Sequence, residues 1–273
     1  MTLADLFPDE DYQLKMRFQR GEIAEFFRPT AHHDALISER LRWLDTAPST
    51  YAALLPEGRP LLEEACDLAK ELQTIPADLS SLAKQHQPWD RCLALGRAWE
   101  PDFLLLQAND RGELRLYGAC VCFPSSWSLA EKIGQPLDFI HGVVPGLNQQ
   151  LGRQIEGFLE KIRPGISWQR ANWGLSRSPE LNQHPARRLR RLDASVTLGE
   201  VWLRIEHQSL VALPRSQGIL FGIRLEIHPL AEVKQDAAAV ERLCRALATM
   251  PDEMARYKNL AVARSTIICL LNE

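Results

Sequence analysis

The chain lacks most of the short motifs that announce a function. Its six cysteines (Cys66, Cys92, Cys120, Cys122, Cys244 and Cys269) include no CxxC pair, which argues against the usual zinc or iron–sulfur knuckle. Cys120 and Cys122 would share one face of a strand, poor geometry for a disulfide, so reduced and mostly buried thiols are expected. No stretch approaches 18 uninterrupted apolar residues, so no membrane-spanning helix is expected. Met1-Thr2-Leu3-Ala4-Asp5 is not a basic region followed by an apolar run, so no secretory signal is visible and a cytoplasmic protein is expected. GxGxxG after a strand, GxxxxGK[ST], HExxH and GxSxG are all absent. The chain thus shows no self-contained nicotinamide, nucleotide, zinc-protease or hydrolase site. Charge of one sign is also lacking: 32 basic against 35 acidic residues give a net −3, which sets up no strong field toward nucleic acid or an anionic membrane. Lysine is scarce, seven of the 32, and arginine suits fixed, planar anion recognition better.

What is present is an ordinary globular composition. The 273 residues are 45% hydrophobic and 25% charged, enough for one large core without staples. The first 98 residues read as a helical extension, with apolar residues near helical period at Leu36, Ile37, Leu41 and Leu44. A second helix follows Pro60 through Leu61, Leu62, Ala65, Leu68, Ala69 and Leu72, stopped by Pro76. Residues 99–230 read as the core. Asp102 to Ala108 meets Leu114 to Phe123 across Asn109-Asp110-Arg111-Gly112, a hairpin signal. Ser128-Leu129-Ala130-Glu131 matches a capping box, with Gly134 able to end a short helix. Leu147, Leu151, Ile155, Leu159 and Ile162 mark an amphipathic helix closed by Pro164-Gly165. Ile166 to Trp173 reads as a strand. Val201, Leu203 and Ile205 then alternate with polar partners, and Ile219, Phe221, Ile223, Leu225 and Ile227 alternate without a break, joined through Pro214 and Gly218 as an antiparallel hairpin. Residues 231–273 return to helix: Asp236 can cap Ala237 to Ala248, and a last helix covers Leu260 to Leu271. Two strands, a helical insert and three strands is the element order of a PAS domain. The expected fold is α+β, a PAS-like five-stranded antiparallel sheet with helical extensions at both ends.

Candidate chemistry lies in polar residues within strand patterns. Alternation puts Arg204, Glu206 and Gln208 on one face of their strand, and Trp168, Arg170 and Asn172 on one face of another. Arg224 and Glu226 lie opposite the five apolar residues of theirs. If buried, such charges must be paired or bind something charged. Otherwise they form a solvent-facing, salt-bridged side of the sheet. His141, in Ile140-His141-Gly142-Val143-Val144-Pro145, is either a packed core residue or a ligand at the mouth of a palm-shaped pocket. The pair His32-His33 and the run Arg187-Arg188-Leu189-Arg190-Arg191 read as a loop pair and a solvated or docking face.

Six segments, in order, resemble the family of haem-dependent oxidative N-demethylase alpha subunits: Val121-Cys122-Phe123-Pro124-Ser125-Ser126-Trp127, Glu131-Lys132-Ile133-Gly134, Ile140 to Pro145, Arg170-Ala171-Asn172-Trp173, Arg204 to Leu210 with Leu213-Pro214, and Met254-Ala255-Arg256-Tyr257-Lys258. The resemblance covers roughly residues 100 to 260. It implies a PAS-like protein that binds haem b and dioxygen and oxidises a small methylated amine such as dimethylamine. Electrons would come from flavin and iron–sulfur centres on a separate reductase subunit. No flavin, nicotinamide or iron–sulfur site is expected in this chain, and no nucleic-acid or membrane partner. By position, His141 would be the iron ligand. Arg170, Asn172 and Arg224 would contact the cofactor, and Arg204, Glu206 and Gln208 would serve the chemistry, with Glu206 holding a protonated amine or pairing an arginine. The family pattern has arginine where His207 stands and proline where Val143 stands, which bears on the choice of substrate. A non-catalytic haem- or gas-binding sensor, or a scaffold with an empty pocket, is the alternative.

Overall fold

Turn chemistry and alternation account for the centre of the molecule. In the computed structural model, which describes residues 2–77, 79, 82–84 and 86–273, the Asn109 side chain accepts from the amides of Arg111 and Glu113, both at 2.9 Å, and Gly112 takes φ +78°. That turn joins β3 (Asp102–Ala108) to β4 (Leu114–Cys120). The second hairpin joins β6 (Trp202–Leu213) to β7 (Gly218–Pro229) in unbroken register. Its turn is held by the buried carboxylate of Glu64, which accepts from the amides of Arg215 and Ser216 at 2.9 and 2.7 Å. β5 (Ser167–Ser176) pairs with β6 along its whole length.

The sheet is wider than the expected five strands. β1 (Gln19–Gly21) and β2 (Ala52–Leu54) extend it to seven, in the order β1-β5-β6-β7-β3-β4-β2, all antiparallel. Three-residue strands are too short to show alternation, and these two exist because the edges of β5 and β4 offer unpaired backbone groups. The capped helix expected at Ser128 is also corrected. Leu129–Glu131 is a single 3-10 turn with no side-chain cap, because the following chain is drawn onto β4: the Gly134 amide donates to Leu116 at 2.7 Å and the Leu116 amide to Gln135 at 3.2 Å. The Asp236 cap is present, accepting from the Ala239 amide at 3.1 Å.

Register decides what each face carries. Directly opposed residues share a face. Arg170, Gln208 and Ile223 stand in one row and Asn172, Glu206 and Leu225 in the next. Leu104, Leu106, Leu210 and Ile219 share that face, with Trp168, Phe221 and Ile223 packed beside them. We call it the palm face. The helical insert, Leu137–Gly142 and Leu147–Leu159, lies over it through Ile140, Phe158 and Leu159. On the reverse face the helices His33–Thr46, Arg59–Glu71 and Pro88–Ala98 cover Phe103, Leu105, Val211 and Leu220. The helices Ala237–Thr249, Asp252–Tyr257 and Arg264–Asn272 cover Trp173, Leu175, Leu203 and Ile205. No helix among the described residues is long and apolar enough to cross a membrane.

One buried ion pair locks the start of β3 to the N-terminal helices. Arg40 Nη1 lies 2.6 Å from Asp102 Oδ1, with side chains 0% and 2% exposed. Arg40 also donates to the carbonyl of Gly96 at 2.8 Å. Asp102 accepts from the amides of Cys122 and Phe123 at 2.8 and 3.0 Å. Asp102→Ala leaves an uncompensated buried guanidinium and should cost about 3–5 kcal/mol in urea unfolding. The paired change Arg40→Met with Asp102→Leu should recover much of that loss; a double variant as unstable as Asp102→Ala would contradict this account.

Candidate functional site

The palm face carries a hydrogen-bonded chain of polar side chains running from β6 to β5. Arg204, 4% exposed, donates from Nε to Ser125 Oγ at 2.9 Å. Its remaining nitrogens reach the carbonyls of Glu180 (3.1 Å), Phe123 (3.0 Å) and Leu181 (2.6 Å). Ser125 donates to Glu206 Oε1 at 2.5 Å. Gln208 donates to Glu206 Oε2 at 3.1 Å and accepts from Arg170 Nε at 2.7 Å. Arg170 also lies 4.9 Å over the Phe18 ring. These are four of the residues expected from the sequence, brought into one network.

Glu206 is the carboxylate at the centre of this chain, and its field reaches four cations. It opposes the burial that lowers the pKa of Lys132, of Arg170, of Arg204 (to about 10) and of Lys258 (to about 8). None of the four lies within ion-pair distance of it among the described residues. Lys132 sits 4.1 Å over Trp127. Lys258 donates to the Trp173 carbonyl at 2.7 Å. Burial, with Glu206 adding to it, raises the Tyr257 pKa.

His141 lies in the short helix Leu137–Gly142 rather than in a loop. Burial, helped by the positive charges of Arg170 and Lys132 and opposed by Asp138, lowers its pKa to about 4. Its ring is therefore neutral at pH 7. Its nitrogens make no hydrogen bond among the described residues, and Arg170 places it near the palm face.

Other expected residues are placed apart. Asn172 stands opposite Glu206 but is exposed. Arg224 pairs across the sheet with His207, on the reverse face, where it meets Glu100 and donates to the carbonyls of Phe26 and Arg28 at 2.6 and 2.9 Å. There it ties the N-terminal segment to the sheet. His33 is spoken for by Glu100 at 3.0 Å, and Arg187 by Glu180 at 2.8 Å and the Trp43 ring. Sequence reasoning missed Ser125, Lys132, Tyr257 and Lys258 as site residues. All four lie in segments that carried the family resemblance.

Among the described residues no group of three or more His, Cys, Asp or Glu is spaced to hold a metal. A cavity of about 180 Å³ touches Arg170 and Gln208, with Gln19, Phe26, Gln169, Ala171 and His207. A larger one, about 360 Å³, lies among the N-terminal helices near Ile37, Leu93 and Arg97. His141 lines neither.

A seven-stranded antiparallel sheet with helices on its reverse face, and a polar relay and a helical insert on the other, defines an α+β protein. Within that class, the chain belongs to the haem-dependent oxidative N-demethylase, alpha subunit-like family, whose model matches residues 64–268.

The lowered pKa of His141 has a signed consequence. The unfolded chain takes up a proton near pH 6.5, whereas the folded site resists until about pH 4. This residue's contribution to stability is therefore retained above about pH 6.5 and lost as pH falls from there toward 4. In NMR the His141 ring should remain neutral at pH 5.5, and His141→Gln should flatten the acid limb of the stability curve between those pH values. A ring titrating near 6.5 would contradict the burial described.

Proposed function

We propose that this protein is a haem-dependent oxygenase of methylated amines, in which His141 would hold the haem iron and the palm face would form the floor of the haem pocket. The observation that supports the reading is a half-buried, neutral imidazole with no hydrogen bond of its own among the described residues, close to a floor of two chemistries. A neutral ring nitrogen is what an iron ligand requires. β7 and β3 supply the apolar half of the floor through Phe221, Ile223, Leu104 and Leu106, suited to a flat macrocycle. β5, β6 and the adjoining segments supply the cationic half, through Arg170 and Lys132, suited to its carboxylates. The donor chemistry thus fits the cofactor.

The cavity beside Arg170 opens among reverse-face side chains, Gln169, Ala171, His207 and Phe26, so it is not the haem site; the insert packs on the palm face, and binding there has to lift it. The insert is built lightly enough: its first helix buries no residue and its second buries only Leu151. The PAS-like character of the central strands, and the treatment of residues 99–230 as the haem core between helical extensions, belong to this same proposal.

When bound, the iron porphyrin supplies the one-electron oxygen chemistry. The chain's own residues supply the rest. Glu206 accepts one hydrogen bond on each oxygen and retains capacity for the N–H of an amine. Arg170 keeps its terminal N–H groups uncommitted among the described residues and is the donor that would pair a carboxylate of the cofactor. The insert excludes water. Electrons would come from a separate flavin or iron–sulfur subunit, which the alpha-subunit description of the family favours. The compartment is expected to be the cytoplasm.

His141→Ala should lower haem retention at least about tenfold and abolish the wild-type absorption spectrum. A wild-type spectrum, oxidised, reduced and under carbon monoxide, in that variant would remove His141 from the ligand role. In the loaded wild type, dimethylamine should shift the spectrum and be consumed with release of formaldehyde when a reductant is supplied. Spectral response to gases without amine turnover would identify a sensor instead.

A further inference from the structure

Hydrogen-bond direction around Glu206 is fixed by the donor inventory. A guanidinium can only donate, so the Arg204 Nε contact at 2.9 Å forces Ser125 Oγ to accept. The hydroxyl has one proton left, and among the described residues the acceptor in reach is Glu206 Oε1 at 2.5 Å. From the other side Arg170 donates to the carbonyl end of the Gln208 amide, which leaves its NH₂ end for Glu206 Oε2. Two guanidinium groups thus act on one carboxylate through two neutral relays. Each relay is polarised by the charge behind it, and neither covers Glu206 as a direct, bidentate ion pair would.

We propose that Ser125 is a positioning residue of the site: it transmits the Arg204 charge to Glu206, fixes the rotamer of that carboxylate and leaves one acceptor position on each of its oxygens for an N–H donor. The ligand class this selects is a secondary or protonated tertiary amine, which carries an N–H; a quaternary ammonium cannot complete the contact. The inference rests on the proposed function where it says that Glu206 meets the amine. The placement of Ser125 itself rests only on the contacts above and on its loop. Asp102 holds the amides of Cys122 and Phe123, and Arg204 holds the Phe123 carbonyl. The backbone two residues before the hydroxyl is therefore anchored from both sides.

Two measurements test it. In the proton NMR spectrum of the full chain without haem, a short O–H···O⁻ contact should give a downfield, slowly exchanging hydroxyl signal. That signal should be present in wild type and Ser125→Thr, and absent in Ser125→Ala. Its absence from wild type, or its survival in Ser125→Ala, overturns the relay. In the haem-loaded protein, optical titration with dimethylamine should show affinity about tenfold weaker in Ser125→Ala, the effect of one charge-assisted hydrogen bond. Ser125→Thr should restore it, and tetramethylammonium should bind no better to wild type than to the Ala variant. Equal loss in Ser125→Ala and Ser125→Thr would assign the residue to loop packing and overturn the positioning role, as would unchanged affinity in Ser125→Ala. If wild type shows the hydroxyl signal but no response to any amine, the relay stands, the amine-positioning role falls, and the proposed function fails with it.

Discussion

The site depends on one buried guanidinium. Arg204 sits on β6 with four hydrogen-bond acceptors around it: three carbonyls, from Phe123, Glu180 and Leu181, and one hydroxyl, from Ser125. A guanidinium removed from water must be met this way or it costs several kcal/mol. The fold meets it with backbone from two separate connections, the one leaving β4 and the one leaving β5. Each connection is thereby pinned to the same strand. Asp102 does the complementary work from β3, accepting the amides of Cys122 and of Phe123, the residue whose carbonyl Arg204 takes. The segment 122–125 is therefore fixed by its donors on one side and its acceptors on the other, although it belongs to no helix or strand. Placing a functional hydroxyl on a loop is compatible with precision only when the loop backbone is held this way.

The palm and the reverse face handle charge differently. On the reverse face Arg224 and Glu100 meet directly, and Arg40 and Asp102 form a closed pair inside the core. Such pairs complete themselves and bind nothing further. On the palm face Glu206 has cations within the range of its field, but among the described residues its side-chain hydrogen bonds come from Ser125 and Gln208 alone. A carboxylate held by two neutral donors keeps unused lone pairs. That open arrangement is costly as structure and useful as chemistry, which is why its location separates the site from the merely structural arginines.

Much of this was legible from the sequence, up to a definite limit. Alternation within Arg204 to Gln208 and within Ile166 to Trp173 gave the correct sharing of faces within each strand. Alternation cannot say how two strands align. Register sets that, and a one-residue shift would have reversed it. Thus Arg224, polar and opposite Ile223 on its own strand, falls in the row of His207 and ends on the reverse face, while the apolar residues of β7 join the polar residues of β6. Lys258 and Tyr257 reach the site from the C-terminal helical region, 50 residues beyond Gln208, and Ser125 from a loop; no periodicity records such approaches. The three-residue strands β1 and β2 are borrowed from edges rather than encoded by pattern.

The helical insert is fastened unevenly over the palm face. Its second helix is attached at one point of strong packing, where Phe158 stacks on Phe18 at 4.7 Å and meets Trp168 edge-on at 5.4 Å. Its first helix, the one that bears His141, leaves Phe139 and Val143 more than half exposed and buries nothing fully. Local stability follows buried contact, so the His141 end opens at lower free energy than the Phe158 end. Gly134 and Gly146, at φ +76° and +73°, bracket that first helix with turns that other residues adopt only under strain. A cover anchored at its aromatic end and loose at its His141 end can part from the floor without disturbing the relay beneath, because every bond of that relay is made by β5, β6 and the pinned 122–125 segment.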